Sequence, residues 1–382
     1  MSVEFYRHAL GAREAESVAE TLRSVFLTLG PRTAEFERRF ADLLDAEECV
    51  GTTSCSMGLL LALVAFGIGP GDEVITSPMT FAATSNAILH AGATPVFADA
   101  EPETGLIDPV EIERKIGPKT RAILPVHLYG QMADMRAIRE LARRQDLRVI
   151  EDAAHAVESE RDGVRPGHLG DAAVFSFYAT KNLTSGDGGA IVVQAPEVAV
   201  KLRRLRNHGI TKDAATRYGQ HYRHWDMLEL GYKAAMNDLD AALLLPQLDE
   251  VAARRDRRAA LVARYRENLA ELEGVEQIRA VGKSAHHLYP VLVPAPLRDA
   301  VLAGLGERGV GCAVNYRSVH TLSYYAERFH FRREDFPRSA AFGERTVTLP
   351  LWPDLPFEQV DRACSALREV LAGLSGSEWG NE

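Results

Sequence analysis

Short, continuous apolar runs that alternate with helical patterns between about residues 47 and 195 constrain this chain more than any other feature. The runs are residues 72–77 (DEVITS), 94–99 (TPVFAD), 121–127 (RAILPVH), 148–152 (RVIED), 172–177 (AAVFSF) and 189–194 (GAIVVQ). Most are rich in Val and Ile, and they are continuous rather than alternating, which suits strands covered on both faces. Helical stretches such as residues 81–90 and 132–145 lie between them. This alternation specifies an α/β layer on a mainly parallel sheet. Ligands of such sheets collect beyond the carboxyl ends of the strands, where Asp152, Ser176 and Lys181 fall.

After Asn237 the pattern changes. Residues 238–272 read as mostly helical, with Pro246 expected to bend them. A smaller unit should follow, with strands near residues 286–293 and 312–316 and helices over 297–308 and 357–374. A length of 382 residues suits one large domain and a smaller companion, and the expected division is 1–245 and 246–382.

The chemistry-bearing residues cluster near the strand ends. Asp152 closes one apolar run, and Lys181 lies just past the end of another. An acid and a lysine so placed are the two protein groups that pyridoxal 5'-phosphate needs: the lysine captures the aldehyde and the carboxylate keeps the ring nitrogen protonated. Lys181 could equally be a surface charge, and Asp152 an N-cap for the Ala-rich segment after it. Ser176 can donate a hydroxyl to phosphate, and Gly186-Asp187-Gly188-Gly189 permits close backbone approach. His155, one turn beyond Asp152, could stack on a ring, bond its phenolic oxygen, or be a satisfied structural imidazole. The stretch Val50 to Leu59 passes from strand through small polar residues into a helix, which would present Cys55 and Ser56 to a phosphate or simply cap that helix. Phe81 opens another helix, either as core or as a ring stacked on a cofactor.

Composition narrows the remaining classes. A formal net charge of −9 argues against non-specific nucleic-acid binding. No eighteen-residue apolar stretch predicts a membrane span, and the first residues lack the apolar core of a secretion signal. Cys49, Cys55, Cys312 and Cys364 are scattered without metal-ligand spacing, so reduced thiols in the cytoplasm and no metal site are expected. A nicotinamide-dependent oxidoreductase would need a strand-linked GxGxxG, which does not occur at the right place.

Taken in order, several motifs resemble the DegT/StrS-type sugar aminotransferases, which are PLP enzymes of the aspartate-aminotransferase type I fold. They are Leu29-Gly30-Pro31, Phe36-Glu37, Gly71-Asp72-Glu73-Val74-Ile75, Pro125-Val126-His127-Leu128-Tyr129-Gly130, the Asp152 and Lys181 motifs, Arg206-Asn207-His208-Gly209, Gly231-Tyr232-Lys233 and Leu349-Pro350-Leu351. The resemblance spans nearly the whole chain. It implies a large PLP-binding domain with a mainly parallel central sheet and a smaller C-terminal α+β domain. It makes Lys181 the Schiff-base lysine, Asp152 the pyridine partner, His155 and Phe81 the groups against the ring, and Cys55, Ser56 and Ser176 the phosphate ligands. Lys181 also separates the chain from related sugar dehydratases, which carry histidine there. Two positions depart from the pattern: Cys55 replaces a common glycine, and Lys233 stands where relatives often have an asparagine that reaches the partner's phosphate.

The implied reaction is ping-pong transamination from L-glutamate to a nucleotide-linked 3- or 4-ketohexose, in a homodimer with shared sites. Tyr316, Arg317 and His320 match the segment bordering the sugar. Arg203, Arg204, Arg206 and His208 could meet a diphosphate or carboxylate, or form a solvated helix face. A cyclitol or other carbocyclic keto substrate, or a homologue that has lost turnover, would carry the same cofactor motifs.

Overall fold

The computed structural model describes residues 2–211 and 224–378. Seven strands form the larger sheet: β1 (Glu48–Thr52), β2 (Glu73–Thr76), β3 (Thr94–Phe97), β4 (Thr120–Leu124), β5 (Arg148–Asp152), β6 (Ala172–Ser176) and β7 (Gly189–Val193). Their order is β1-β7-β6-β5-β4-β2-β3. Pairings from β6 through β3 are parallel, whereas β7 runs antiparallel to both β6 and β1. The expected α/β layer is present, and each of the six apolar runs forms a strand.

The continuous runs are explained by a sheet buried on both sides. Along β6, Ala172 and Val174 join a core with Leu59, Leu63, Ile150 and Ile191, while Ala173 and Phe175 join another with Phe36, Phe40 and Val192. Alternate side chains point to opposite faces, so a strand covered twice has no polar face. The helix Cys55–Ala65 is buried nearly all round, as its unbroken run of Leu and Ala requires. Gly58 lets it lie close to β6, because a Cβ there would stand 2.6 Å from Val174 Cγ1. Gly189 holds its first turn against β7, since an added Cβ would meet the Cys55 nitrogen at 2.5 Å.

The second sheet has order β10-β9-β8, formed by β8 (Glu276–Gln277), β9 (Tyr289–Leu292) and β10 (Thr346–Leu349), all antiparallel. It shares a core with the helices Val251–Asn268, Arg298–Glu307 and Phe357–Glu378, and with Val3 of the N-terminal arm. That arm is tied down where the Val3 N–H donates to the Gly309 carbonyl and the Gly311 N–H donates to the Val3 carbonyl, both 2.8 Å.

Two expectations are corrected. Residues 312–316 form no strand. Ala313 makes a single bridge to Thr348, after which the polar residues find partners across the molecule rather than in a ladder: Tyr129 Oη donates to the Asn315 carbonyl and Ser318 Oγ to the Pro78 carbonyl. The strands that pair with β9 are β8 and β10. Pro246 sits inside the helix Asp238–Leu248, and the chain breaks instead before Val251.

A buried carboxylate joins the two ends of the large unit. Asp238 Oδ1 accepts from the Gly30 N–H (2.8 Å) and the Thr33 hydroxyl (2.6 Å), and Oδ2 accepts from the Arg32 N–H (3.2 Å). Asp238 therefore caps the helix Pro31–Leu43 from about two hundred residues away. Asp238→Ala would leave these donors unmatched, and chemical denaturation should show a loss of about 2–4 kcal/mol. A loss below about 0.5 kcal/mol would show that the cap is dispensable.

Candidate active site

The carboxyl ends of β1, β5 and β6 and the start of β7 meet at one place, because Gly189 is the register partner of both Thr52 and Ser176. A cavity of about 540 Å³ opens there. Its walls include Cys55, Ser56, Phe81, Asp152, His155, Ser176, Lys181 and Tyr316. Phe5 and Tyr6 of the arm, Leu349 at the end of β10 and Leu351 just beyond it close the cavity from the smaller unit.

Two consecutive acids end β5, and they face different surroundings. Glu151 is fully buried, pairs with His127 Nε2 at 2.7 Å and accepts from the N–H groups of Gly167 and Gly170. Asp152 lines the cavity, accepting from Thr84 Oγ1 at 2.7 Å and from the Ala154 N–H at 3.1 Å. Burial pushes its carboxyl above the ordinary range, against those two hydrogen bonds and the charge of Lys181. A carboxylate so poorly solvated suits a cationic N–H partner.

Lys181 follows β6 on the turn that returns to β7. Burial pushes its ammonium down to about 8, with Asp152 opposing. About a tenth of the amine is therefore uncharged at pH 7, far more than for an ordinary lysine. Its Nζ stands 3.3 Å from His287 Nε2.

His155 is held between two partners. Its Nδ1 accepts the Tyr129 N–H at 3.2 Å, so the neutral ring carries its proton on Nε2, which lies 3.2 Å from Tyr316 Oη. Burial, then the charge of Lys181, pushes this imidazole far below its usual value and keeps it neutral. Phe81 is 60% exposed and tilts against Tyr316 at 5.6 Å between ring centres, so it stands at the rim rather than in the core.

The helix Cys55–Ala65 points its N-terminus into the cavity. Ser54 caps it, accepting from the Met57 N–H at 3.2 Å, so the first-turn N–H groups of Cys55 and Ser56 have no acceptor within the helix. Cys55 itself is a buried thiol whose hydrogen points at the Val174 carbonyl. Helix N–H groups, the Ser56 and Ser176 hydroxyls, a buried carboxylate and a partly uncharged lysine together fit the phosphate, ring nitrogen and aldehyde of pyridoxal phosphate.

Other residues singled out from the sequence lie elsewhere. Lys233 is exposed and outside this cavity. Arg317 is exposed beside Tyr316 without lining it. His320 is fully buried, bonded to Ser318 Oγ at 2.8 Å and packed on Phe336 in an aromatic cluster, so it does not reach the cavity. Arg206 is neither a solvated residue nor a ligand group: it is buried, bonded to Glu37, and donates to the Gly51 carbonyl at 2.7 Å. Arg203 pairs with Glu48 and Arg204 with Glu229. Arg203, Arg204 and Arg206 line a larger groove of about 840 Å³ beside the start of β1, away from the carboxyl ends of the strands, and carboxylates already match their charges. Sequence reasoning gave no site role to Thr84, Tyr129, Asn182 or His287, although Tyr129 lies in a family motif and Asn182 follows Lys181 directly.

The description DegT/DnrJ/EryC1/StrS aminotransferase family matches residues 8–368. The chain is 41% identical over 372 residues to the spore coat polysaccharide biosynthesis protein SpsC of Bacillus subtilis, covering 95% of this chain and 96% of that one. The structure of Spr1654 from Streptococcus pneumoniae in its PMP form superposes with a TM-score of 0.92 at 30% identity, covering 97% and 100% of the two chains. That of DesV from S. venezuelae gives 0.87 at 36% identity, covering 93% of each. Matched over nearly its whole length, this chain belongs to the DegT/DnrJ/EryC1/StrS aminotransferase family and is a pyridoxal-phosphate-dependent aminotransferase of the type I fold.

Proposed function

We propose that the enzyme moves an amino group from L-glutamate to a nucleotide-linked 3- or 4-ketohexose, with Lys181 and Asp152 as its central pair. The observation that carries this reading is the meeting of Lys181, Asp152 and the N-terminus of the helix Cys55–Ala65 in one cavity. A sugar acceptor is supported by the relatives, among them a spore coat polysaccharide biosynthesis protein and an aminotransferase of pseudoaminic acid biosynthesis in Helicobacter pylori. When bound, pyridoxal phosphate supplies an aldehyde for amine capture and a ring that draws electrons from the neighbouring carbon.

Each residue then has a task that its surroundings permit. Lys181 would hold the cofactor through its amine, and the same amine, once free, would be the base that moves the proton of the donor Cα. Asp152, held by Thr84 and Ala154, pairs with the ring nitrogen and keeps it charged. The N–H groups of Cys55 and Ser56, with the Ser56 and Ser176 hydroxyls, bind the phosphate. His155 and Phe81 bracket the ring. Tyr316 and Arg317 meet the acceptor sugar and its diphosphate.

The working unit in this reading is a homodimer with shared sites. Leu22, Val25, Leu27, Trp225, Met227, Leu228 and Leu230 are large apolar residues left 48–81% exposed, as a face covered by a second copy would be. Lys233, outside its own chain's cavity, reaches the partner's phosphate as a charged donor. The separate core built from Val3 and residues between 261 and 371 supports two units in the chain, with Leu248 and Val251 still packed in the larger one. Four free thiols suit a reducing cytoplasm, and no helix among the described residues is long and apolar enough to cross a membrane.

Three measurements check this proposal. Lys181→Ala should reduce isotope exchange between glutamate and 2-oxoglutarate by at least about a thousandfold, and undiminished exchange would refute the role of Lys181. A panel of UDP-, dTDP- and GDP-linked ketosugars should drive 2-oxoglutarate formation from glutamate, and turnover confined to a keto-inositol would overturn the sugar acceptor. Asp152→Asn separates function from stability. Because burial holds the folded carboxyl above its unfolded value, its stabilising contribution is full at low pH and is lost as pH rises through the folded value. The neutral variant escapes that loss, so the cofactor-free protein should melt higher at neutral pH while glutamate exchange falls at least about a hundredfold. A lower melting temperature, or retained exchange, would contradict the assignment.

A further inference from the structure

A continuous line of hydrogen bonds runs from a buried arginine of the smaller unit to the amine of Lys181. Arg258, on the helix Val251–Asn268, is 1% exposed and pairs with Glu158. The other Glu158 oxygen accepts from Asn182 Nδ2 at 3.1 Å, and the same Nδ2 donates to the Ala285 carbonyl at 3.0 Å. Asn182 Oδ1 lies 3.3 Å from His287 Nδ1, and His287 Nε2 lies 3.3 Å from Lys181 Nζ.

The direction of every bond in this line follows from its first member. Glu158, ionised against Arg258, and the Ala285 carbonyl accept only, so the NH2 of Asn182 must face them and its oxygen must face His287. An amide oxygen also only accepts, so His287 Nδ1 carries the proton. In a neutral imidazole Nε2 is then left with a lone pair, and that lone pair points at Lys181 Nζ. His287 is 4% exposed, and burial first, then the charges of Lys181 and Arg258, disfavour a positive charge on it; the neutral His155 ring is centred 4.4 Å away. Asp152 and the Cys55 thiol are the other titratable groups bearing on Lys181.

We propose that His287 is a positioning residue for Lys181, a hydrogen-bond acceptor whose tautomer is set by Arg258, Glu158 and Asn182 and which holds one N–H of the amine. This rests on Lys181 being the reacting amine. With one N–H held, the rest of the amine is directed to the cavity that it shares with Asp152. Helix Val251–Asn268 thereby orients a group at the far end of β6 without touching it.

An acceptor bonds an ammonium more strongly than an amine, so losing it must make Lys181 easier to deprotonate. Competitive acetylation of the cofactor-free protein with acetic anhydride, read at Lys181 by mass spectrometry from about pH 6 to 10, measures this directly. The wild-type midpoint should lie near 8. His287→Leu should bring it about half a unit to one unit lower, and His287→Gln, which keeps an acceptor oxygen, should restore it. If His287→Leu fails to fold by circular dichroism, Asn182→Ala, which frees the ring to turn, must shift the midpoint the same way. An unchanged midpoint, or a raised one as loss of a charged imidazole would give, overturns the proposal. Added pyridoxal phosphate should protect Lys181 from acetylation in the wild type. Lack of protection would instead defeat the Lys181 assignment, whatever the variants do.

Discussion

Withdrawing an amine and a carboxylate from water at the same strand ends is the constraint on which this molecule is organised. Burial alone moves both toward their neutral forms, lowering Lys181 and raising Asp152. An uncharged amine is what capture of an aldehyde requires. A poorly solvated carboxylate is a strong partner for a protonated ring nitrogen. The fold supplies this dryness through close approach: Gly58 and Gly189 bring the helix Cys55–Ala65 against β6 and β7, and the phenylalanines at 36, 40, 175 and 177 fill the opposite face. The cofactor's charges complete a site that the protein leaves electrostatically unbalanced.

The smaller unit contributes more than a lid. It sends Leu349 and Leu351 from the end of β10, and the docked arm sends Phe5 and Tyr6, to the same cavity. The chain that leaves Ala313 crosses to the larger unit, where Tyr129 holds the Asn315 carbonyl and His155 meets Tyr316. Tyr129 thus serves both walls, with its hydroxyl on Asn315 and its backbone N–H on His155. The segment that carries Tyr316 and the residue His155 are coupled through this one tyrosine.

Much of this was legible in the sequence, for identifiable reasons. Strands buried twice leave unbroken apolar runs, so the large sheet and the placement of Asp152 and Ser176 at its edge could be read directly. Order and spacing of motifs point to the family from the sequence alone. What could not be read depended on contacts distant in sequence. Residues 312–316 look like a strand until their polar groups meet Tyr129 and Pro78; β10, ending at Leu349, takes that place. Arg206 and His320 carry polar chemistry, yet the fold spends them on Glu37 and on an aromatic core. His287 and Asn182 acquire meaning only together, because neither type nor spacing shows that they meet 105 positions apart.

The central claim is that position 181 carries the amine that takes up pyridoxal phosphate. Borohydride reduction of the cofactor-loaded protein, followed by digestion and peptide mass spectrometry, tests it most directly. The account predicts a pyridoxyl mark on the peptide containing Lys181 and on no other lysine. A mark on Lys201, Lys233 or Lys283, or none under saturating cofactor, would contradict it.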